Sequence, residues 1–146
     1  MRKVASSVAV ITTAHDVHLH GMTATAISSV SADPPTLLVV NKTTRTHPLI
    51  VASRHFVVNI LSQSQQSLGT RFSGKVNDQF SGVGYRLSAG GLPILRDCTA
   101  HFECGLMQEF DAGTHTIFIG SIVAGGFSDN NPLLYHDGAY KYLLQM

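Results

Sequence analysis

Short runs of apolar and β-branched residues, interrupted every few positions by turn residues, restrict the fold of this chain more than any other feature. Examples are VAVITT at 8–13, TLLVVN at 36–41, FVVNIL at 56–61 and HTIFIGSIV at 115–123. Runs of this length are typical of strands, whereas an amphipathic helix needs a longer periodic segment. The sequence therefore predicts a mainly β protein.

The predicted strands pair as hairpins. Residues 4–13 and 22–31 are interpreted as the two arms of one β-hairpin around a polar turn at 15–20. The second arm ends at the DPP sequence of residues 33–35, because proline removes a backbone donor. The apolar run at 36–41 is predicted to be a central strand. Further strands are predicted at 56–61, 98–110 and 115–123, and a last hairpin in 133–144 with its turn at Asp137-Gly138.

Two short helices interrupt the strands. The first is expected between residues 43 and 54, with Thr46 as its cap and Pro48 in its first turn. The second is expected at 63–72, with Ser62 or Ser64 as its cap. Residues 73–93 are rich in Gly and Ser and predict a long loop, and such loops tend to be functional. Antiparallel strands with two short helices imply a closed or split β-barrel.

Composition narrows the class of protein. A chain of 146 residues predicts a single domain over residues 1–146. Only 13% of the residues are charged and the mean hydropathy is +0.15, so apolar surface is expected to be covered by a second copy in a homodimer. The net charge of +1 with scattered Lys and Arg argues against a nucleic-acid partner.

The sequence also predicts a cellular compartment. It contains no apolar run of the roughly 20 residues that span a bilayer and no signal peptide, so we expect a cytoplasmic protein with no membrane partner. Cys98 and Cys104 fall six positions apart in one predicted strand, a separation of about 20 Å at 3.3 Å per residue. They are expected to be buried free thiols.

Motifs of common catalytic sites are missing. Gly82-Val83-Gly84 lacks the third glycine and the flanking strand and helix of a dinucleotide fingerprint. His18 and His20 could bind a metal, but they fall near a predicted hairpin tip with no carboxylate at a matching spacing, and we interpret them as exposed turn residues. No hydrolase motif is present. The sequence therefore predicts neither a metal site nor a catalytic acid or base.

A hydroxyl-rich segment, HGMTATAISSVSADPP at 20–35, is the strongest candidate for a binding site. Its short side chains could simply cover a half-exposed strand, or they could let a flat ligand lie against the backbone. The Thr-rich segment at 41–46 precedes a predicted helix start, where hydroxyls and cations would favour an anion. A flat ligand that carries a phosphate suggests a mononucleotide such as flavin mononucleotide (FMN).

Eight segments, taken in their order along the chain, resemble the short-chain flavin reductase family. They are VAVITT (8–13), HGMTATAISSVSADPP (20–35), FVVNIL (56–61), RFSG (71–74), GLPIL (91–95), AHFEC (100–104), AGTHTIFIG (112–120) and PLLYHDGAY (132–140). That family includes the reductase components of two-component flavin monooxygenases. The resemblance covers nearly the whole chain.

The resemblance implies an FMN-binding split β-barrel, a Greek-key-like antiparallel barrel, that forms a homodimer. It implies an NAD(P)H:flavin oxidoreductase in which NADH or NADPH reduces FMN or FAD, and reduced flavin then serves a partner monooxygenase. By position, the isoalloxazine would be lined by Thr23, Ala24, Thr25, Ala26, Ser28 and Ser29. The ribityl and phosphate groups would be held by Asn41, Lys42, Thr43, Thr44, Thr46, Phe72, Ser73, Gly74 and Lys75.

The chain departs from the family pattern in two places. A Gly-Asp-His sequence places a histidine near the nicotinamide in the family, and here it is Gly113-Thr114-His115. His115 is thus expected at the nicotinamide or, equally, as an ordinary polar residue at a strand start. Family members also usually carry a helix before the first strand, so either a leader precedes this sequence or this member is shorter.

Three alternatives to a reductase stay open. Because Thr114 replaces an acid, the protein could be a flavin carrier or electron-relay module that transfers hydride poorly. It could be a different flavin enzyme on the same barrel, such as an oxidase or oxygenase. A purely structural dimer module would bind no flavin at all. Hydride transfer needs positioning of two cofactors and no general base, so no catalytic side chain is predicted.

Overall fold

The computed structural model describes residues 1–42 and 45–144. These residues contain twelve strands, two α-helices and one 3₁₀ turn, so the expectation of a mainly β fold with two short helices is confirmed. The strands are β1 (Ser6–Ser7), β2 (Ala9–His15), β3 (His18–Ala24), β4 (Ile27–Ala32), β5 (Pro35–Lys42), β6 (His55–Ile60), β7 (Tyr85–Leu87), β8 (Pro93–Leu95), β9 (Ala100–Ala112), β10 (His115–Phe127), β11 (Leu133–His136) and β12 (Ala139–Tyr142). The helices are α1 (Thr46–Ser53) and α2 (Gln66–Ser73), and the 3₁₀ turn Gln63–Gln65 leads into α2.

Seven antiparallel strands form the main sheet in the order β3-β2-β6-β9-β10-β5-β4. Its longest hairpin joins β9 and β10, which have 13 residues each. Gly113 in the turn between them has a φ of 68°, a left-handed conformation that glycine adopts without strain. A second sheet joins β1, β11 and β12, and its hairpin turns at Asp137-Gly138 as predicted.

The main sheet is rolled, because its two edge strands are neighbours in the chain. β3 ends at Ala24 and β4 begins at Ile27, yet these strands lie at opposite ends of the sheet order. In a flat sheet, six strand spacings of about 4.8 Å would separate the edges by about 29 Å. Three Cα–Cα steps reach at most about 11 Å. Thr25 and Ala26 therefore connect two edges that meet, and the prediction of one continuous strand at 22–31 is wrong.

Strand β2 is buried on both faces, and this places it between two apolar clusters. Ala9 and Ile11 belong to a cluster that includes Phe56 and Phe118. Val10 and Val8, the residue just before β2, belong to a second cluster, whose other buried members are Leu61, Phe72, Leu95, Cys98 and Leu133. Burial of both faces removes most of the apolar side chains of β2 from water and fixes the strand to which β3 is paired.

Local boundaries differ from the sequence-based expectation in several elements. The first long strand begins at Ala9 and not at residue 4, and the last strand of the β9–β10 hairpin extends to Phe127. Cys98 precedes β9 and does not share a strand with Cys104. Both thiols are free and buried as expected, and burial raises the pKa of each to about 12. They are therefore protonated at neutral pH.

The helix starts give one correct and one incorrect prediction. Ser62 precedes the 3₁₀ turn, and its backbone N–H donates to Gln65 Oε1 at 2.9 Å, as a capping residue would. The expected cap of α1 is wrong. Arg45 is the capping position and makes no side-chain cap hydrogen bond, and Thr46 is the first helical residue. The Thr46 hydroxyl is instead engaged with His20, which belongs to β3 and not to the turn predicted at 15–20.

The hairpin between β2 and β3 is tighter than predicted. Its turn consists of Asp16 and Val17, and both His18 and His20 belong to β3. The segment at 73–93 is largely irregular, as predicted, although Tyr85–Leu87 pairs with Pro93–Leu95. None of the helices in the described part of the chain has the length and apolar character needed to cross a bilayer.

Candidate flavin site

A cavity of about 800 Å³ opens where β3 meets the start of α1 and the end of α2. Its volume lies in the range of about 300–1,000 Å³ that is usual for small-molecule sites. One side is formed by residues 20–26 and the other by the loop that follows α2. The lining residues outside 20–26 are Val40, Arg45, Thr46, Phe72, Ser73, Gly74, Lys75, Asn77, Gln79 and His115.

The cavity brings together most of the residues that the sequence predicts for a cofactor site. Those that line it are Thr23, Ala24, Thr25, Ala26, Thr46, Phe72, Ser73, Gly74, Lys75 and His115. Ser28 and Ser29 are exposed on β4 and are not among the lining residues, and Asn41 is fully buried. Thr43 and Thr44 lie outside the described residues, and only the backbone of Lys42 is described.

The β3 side of the cavity is narrow. Ala24 is buried, whereas Thr25 and Ala26 are exposed at the crossing between the sheet edges. Thr23 Oγ1 donates a hydrogen bond to the Gly69 carbonyl at 2.7 Å, so the hydroxyl proton of Thr23 is already engaged by the protein itself. The backbone of Ala26 is fixed because its carbonyl accepts from Val40 N–H at 2.9 Å. Small side chains on a fixed backbone leave a smooth wall on which a flat ring can lie.

Gln79 fastens the opposite side of the cavity to β3. Its Nε2 donates to the Gly21 carbonyl at 3.0 Å, and its Oε1 accepts from Gly21 N–H at 3.1 Å. Arg71 holds the same loop, since its Nε donates to the Gln79 carbonyl and its Nη2 to the Asp78 carbonyl, both at 2.6 Å. The Gln79 side chain is buried, so these bonds are shielded from water.

Gly21 allows α2 to approach β3. A Cβ atom at this position would lie 2.8 Å from Phe72 Cδ1, closer than side-chain carbons come in proteins. Phe72 itself is buried and contacts Phe80 edge-on, with ring centroids 5.2 Å apart. The glycine therefore sets the distance between the two sides of the cavity.

His20 is a lining residue that the sequence analysis missed. Its Nδ1 lies 2.7 Å from Thr46 Oγ1, and its Nε2 is buried without a hydrogen-bond partner. Burial, and secondarily the nearby Arg45 charge, lower the pKa of the imidazole below 6.5. The ring is therefore neutral at pH 7. Continuing the strand alternation back to His18 would have placed His20 in β3 and not in a turn.

The charge around the cavity favours an anion. Arg45 and Lys75 line it, and none of its described lining residues is Asp or Glu. Sequence analysis had assigned a role to Lys75 and to the cations of the segment at 41–46, which include Arg45, but none to Asn77 or Gln79. No group of three or more His, Cys, Asp or Glu side chains suited to a metal ion occurs in residues 1–42 and 45–144. The local electrostatics therefore suit a phosphate group better than a cation.

His115 lies at the first position of β10 and lines the cavity. Its Nδ1 is 2.8 Å from Thr114 Oγ1, so the residue that replaces the acid of the family pattern contacts the ring. The lining of the cavity thus includes a hydrogen-bonded imidazole as well as the narrow wall of residues 23–26.

Comparison with known proteins shows to which family the chain belongs. Residues 1–144 match the model of the flavin reductase like domain. The chain belongs to this family. A flavin reductase solved in its native state has 38% sequence identity and a TM-score of 0.92, over 99% of this chain and 94% of that chain. The family resemblance noted in the sequence is confirmed.

Two further members of the flavin reductase family are informative. The reductase component of an FADH(2)-dependent resorcinol hydroxylase from Rhizobium sp. (strain MTP-10005) is 38% identical, over 96% of this chain and 82% of that protein. A structure of a Streptomyces globisporus NADH:FAD oxidoreductase in complex with NAD and FAD fragments is 28% identical, with a TM-score of 0.92 over 97% of this chain and 87% of that one. Two relatives from Rhizobium meliloti (strain 1021) are longer, and the chain spans 39% and 53% of their lengths.

Proposed function

We propose that this protein is an NAD(P)H:flavin oxidoreductase that transfers hydride from a reduced nicotinamide to FMN or FAD. The observation that carries the proposal is the cavity of about 800 Å³, with a narrow hydroxyl-bearing wall, two cations and no carboxylate among its described lining residues. Membership of the flavin reductase family supports the same activity.

The residues of the cavity fit a flavin. Ala24 and Ala26 leave room for a planar ring against the β3 backbone, and the hydroxyl of Thr25 stands at its edge. Arg45 and Lys75 supply positive charge for the phosphate, which guanidinium and ammonium groups bind through charge-assisted hydrogen bonds. Thr46 begins an eight-residue helix beside them, and its N-terminal N–H groups add to the positive potential.

Positioning is the main task of the protein in this reaction. Bound flavin supplies the chemistry, as the acceptor of hydride from the nicotinamide. The residues at 23–26 hold the ring on one side, and Gln79 and Phe72 keep the opposite wall at a fixed distance. His115, with its Nδ1 engaged by Thr114, presents its remaining ring nitrogen for the nicotinamide or its phosphates. Holding both rings in contact lowers the entropic part of the barrier.

The proposal extends to partners. Relatives that are reductase components of monooxygenases support delivery of reduced flavin to an oxygenase. A cytoplasmic homodimer also belongs to the proposal. Exposed apolar side chains on β9 and β10 support it, because Phe110, Val123 and Phe127 are 52%, 69% and 91% exposed and a second copy would cover them.

A flavin carrier or electron-relay protein is the second candidate. The uncharged Thr114 in place of the acid is the observation that favours it, because the His115 ring then lacks a carboxylate partner. Such a protein would bind flavin with the same residues but reduce it slowly when NAD(P)H is supplied.

Steady-state oxidation of NADH and NADPH, measured with FMN and with FAD, tests the proposed function. We expect turnover that depends on both protein and flavin and saturates in each cofactor. Flavin binding without turnover above the protein-free rate would favour the carrier. Absence of flavin binding would overturn both candidates.

A further inference from the structure

Helix α2 carries part of the cavity wall, and on one side it is packed against β3. Its C-terminal residues line the cavity and continue into the loop that carries Lys75. The Gly69 carbonyl accepts the hydrogen bond from Thr23 on β3. Phe72 lies so close to Gly21 that a Cβ atom would not fit between them. The helix therefore cannot move any closer to β3.

The C-terminal hairpin of β11 and β12 contacts α2 from another direction. A Cβ atom at Gly69 would lie 2.8 Å from the Tyr140 hydroxyl oxygen and 3.3 Å from two carbons of the same ring. The tyrosine thus lies directly against the buried backbone of Gly69. Glycine is unfavourable in the interior of a helix, and the close approach of Tyr140 is the physical reason for it at this position.

Tyr140 is held in place by its own surroundings. Its ring contacts Tyr135 on the paired strand edge-on, with centroids 5.5 Å apart. It also packs against the apolar cluster of which Leu133 is a buried member. Leu133 fastens β11 to the core, because its N–H donates to the Leu61 carbonyl at 2.9 Å and its carbonyl accepts from Val8 N–H at 3.0 Å. The hairpin is therefore a firm support for α2.

We propose that Tyr140 is a positioning residue for the flavin site. It holds α2 against β3 through its contact with Gly69, and the helix in turn holds Phe72 and the segment at 73–75 in the cavity wall. Tyr140 is not among the described residues that line the cavity, so it acts through the helix and not by touching the flavin. This inference rests on the proposed function, because it assumes that flavin binds in the cavity.

Gly69→Ala tests the proposal by adding an atom for which there is no space. Since α2 cannot approach β3 and Tyr140 is held by its neighbours, the C-terminal end of the helix should be displaced. We expect the Kd for FMN, measured without NAD(P)H, to rise about fivefold or more. Helix propensity alone would instead make the Gly69→Ala protein more stable and leave flavin binding unchanged.

A second substitution at Tyr140 should restore binding. Gly69→Ala/Tyr140→Phe lacks the oxygen that the added methyl group meets, and the ring carbons at 3.3 Å then need to yield by only a few tenths of an ångström. The Kd for FMN should return to within about twofold of the wild-type value. Fluorescence titration of flavin gives the Kd, and far-UV circular dichroism at the same temperature verifies that each variant is folded.

Tyr142 provides the matched control. It lies on the same strand, its hydroxyl is 3.5 Å from Gln66 Oε1 on α2, and its side chain is exposed. Gly69→Ala/Tyr142→Phe should therefore bind FMN as weakly as Gly69→Ala. Tyr140→Leu gives a measurement that does not depend on the folding of Gly69→Ala. It should raise the Kd for FMN about threefold or more, whereas Tyr142→Leu should change it less than about twofold.

The outcomes separate this proposal from the one on which it rests. An unchanged Kd in Gly69→Ala, or a Kd that Tyr140→Phe does not restore, would overturn the role of Tyr140 and leave the flavin site intact. Equal effects of Tyr140→Leu and Tyr142→Leu would overturn it as well. Failure of the wild-type protein to bind FMN or FAD would overturn the proposed function itself.

Discussion

Thr114 Oγ1 lies 2.8 Å from His115 Nδ1, and this contact joins a residue that departs from the family pattern to the residue expected at the nicotinamide. A threonine hydroxyl can orient the ring as a carboxylate does, but it carries no charge. The Thr114 hydroxyl therefore still positions the imidazole, but the electrostatic contribution that an acid would make is absent.

We expect Thr114→Val to raise the KM for NAD(P)H by about threefold, because the ring loses one neutral hydrogen bond. His115→Ala should raise it further, and both variants should leave the flavin Kd within about twofold of the wild-type value. Steady-state kinetics and flavin titration measure the two quantities. Equal losses of flavin and nicotinamide binding would show that His115 belongs to the flavin site or to the fold.

Lys75 tests the placement of the phosphate. Lys75→Ala should raise the Kd for FMN severalfold and leave the Kd for riboflavin nearly unchanged, because only FMN carries the proposed partner of the ammonium group. Lys141→Ala is the matched control, as Lys141 is exposed and does not line the cavity. If Lys75→Ala weakened both ligands alike, the phosphate would have to lie elsewhere.

Gln79 links stability to the shape of the cavity. Gln79→Ala removes both bonds to Gly21 and leaves a buried N–H and C=O without these partners, which should lower the free energy of unfolding by about 1–3 kcal/mol. The flavin Kd should rise as well, since the loop is released. Urea denaturation and flavin titration give the two values. Gln108→Ala, at an exposed position on β9, should change neither, and a Gln79→Ala protein as stable as the wild type would contradict the assigned role.

The lowered pKa of His20 predicts that the protein loses stability at acid pH. Its pKa is lowered in the folded state by burial and by Arg45, so the unfolded chain takes up the proton first as the pH falls through about 6.5. The free energy of unfolding should therefore decrease from that pH downward until the folded-state imidazole is also protonated. Burial, followed by the Arg86 charge, acts in the same direction on His101.

Urea denaturation at a series of pH values from 7 to 5 measures this effect. His20→Gln should flatten the decrease, because the amide does not titrate and can still bond to Thr46. His101→Gln should flatten it independently, and the two effects should add, as expected for separate sites. An unaltered pH profile in His20→Gln would mean that the imidazole is not desolvated in the folded state.

The sequence predicts much of this fold because strand periodicity and turn residues are local signals. The β9–β10 hairpin, with Gly113 in its turn, and the last hairpin at Asp137-Gly138 follow from such signals. The break at Thr25 and Ala26 does not, because residues 22–31 form a plausible single strand until the rolled sheet brings its edges together. That closure is a long-range property of seven strands.

The residues of the candidate site could likewise be predicted from the sequence only in part. The narrow wall at 23–26 and the segment at 72–75 were accessible from the sequence through small side chains, hydroxyls and the family resemblance. Asn77 and Gln79 were not, because their positions in the cavity depend on contacts between elements distant in the chain. His20 was assigned to a turn because its neighbours are polar, while its burial depends on packing against Thr46.

Anaerobic stopped-flow mixing of the protein and FAD with NADH, following the absorbance of oxidised flavin, tests the central claim most directly. We predict reduction many times faster than in the protein-free control, with a rate that saturates in NADH and falls in His115→Ala at low NADH concentration. Flavin that binds to the protein but is reduced no faster than free FAD, with NADPH as well as with NADH, would contradict the assignment as a flavin reductase.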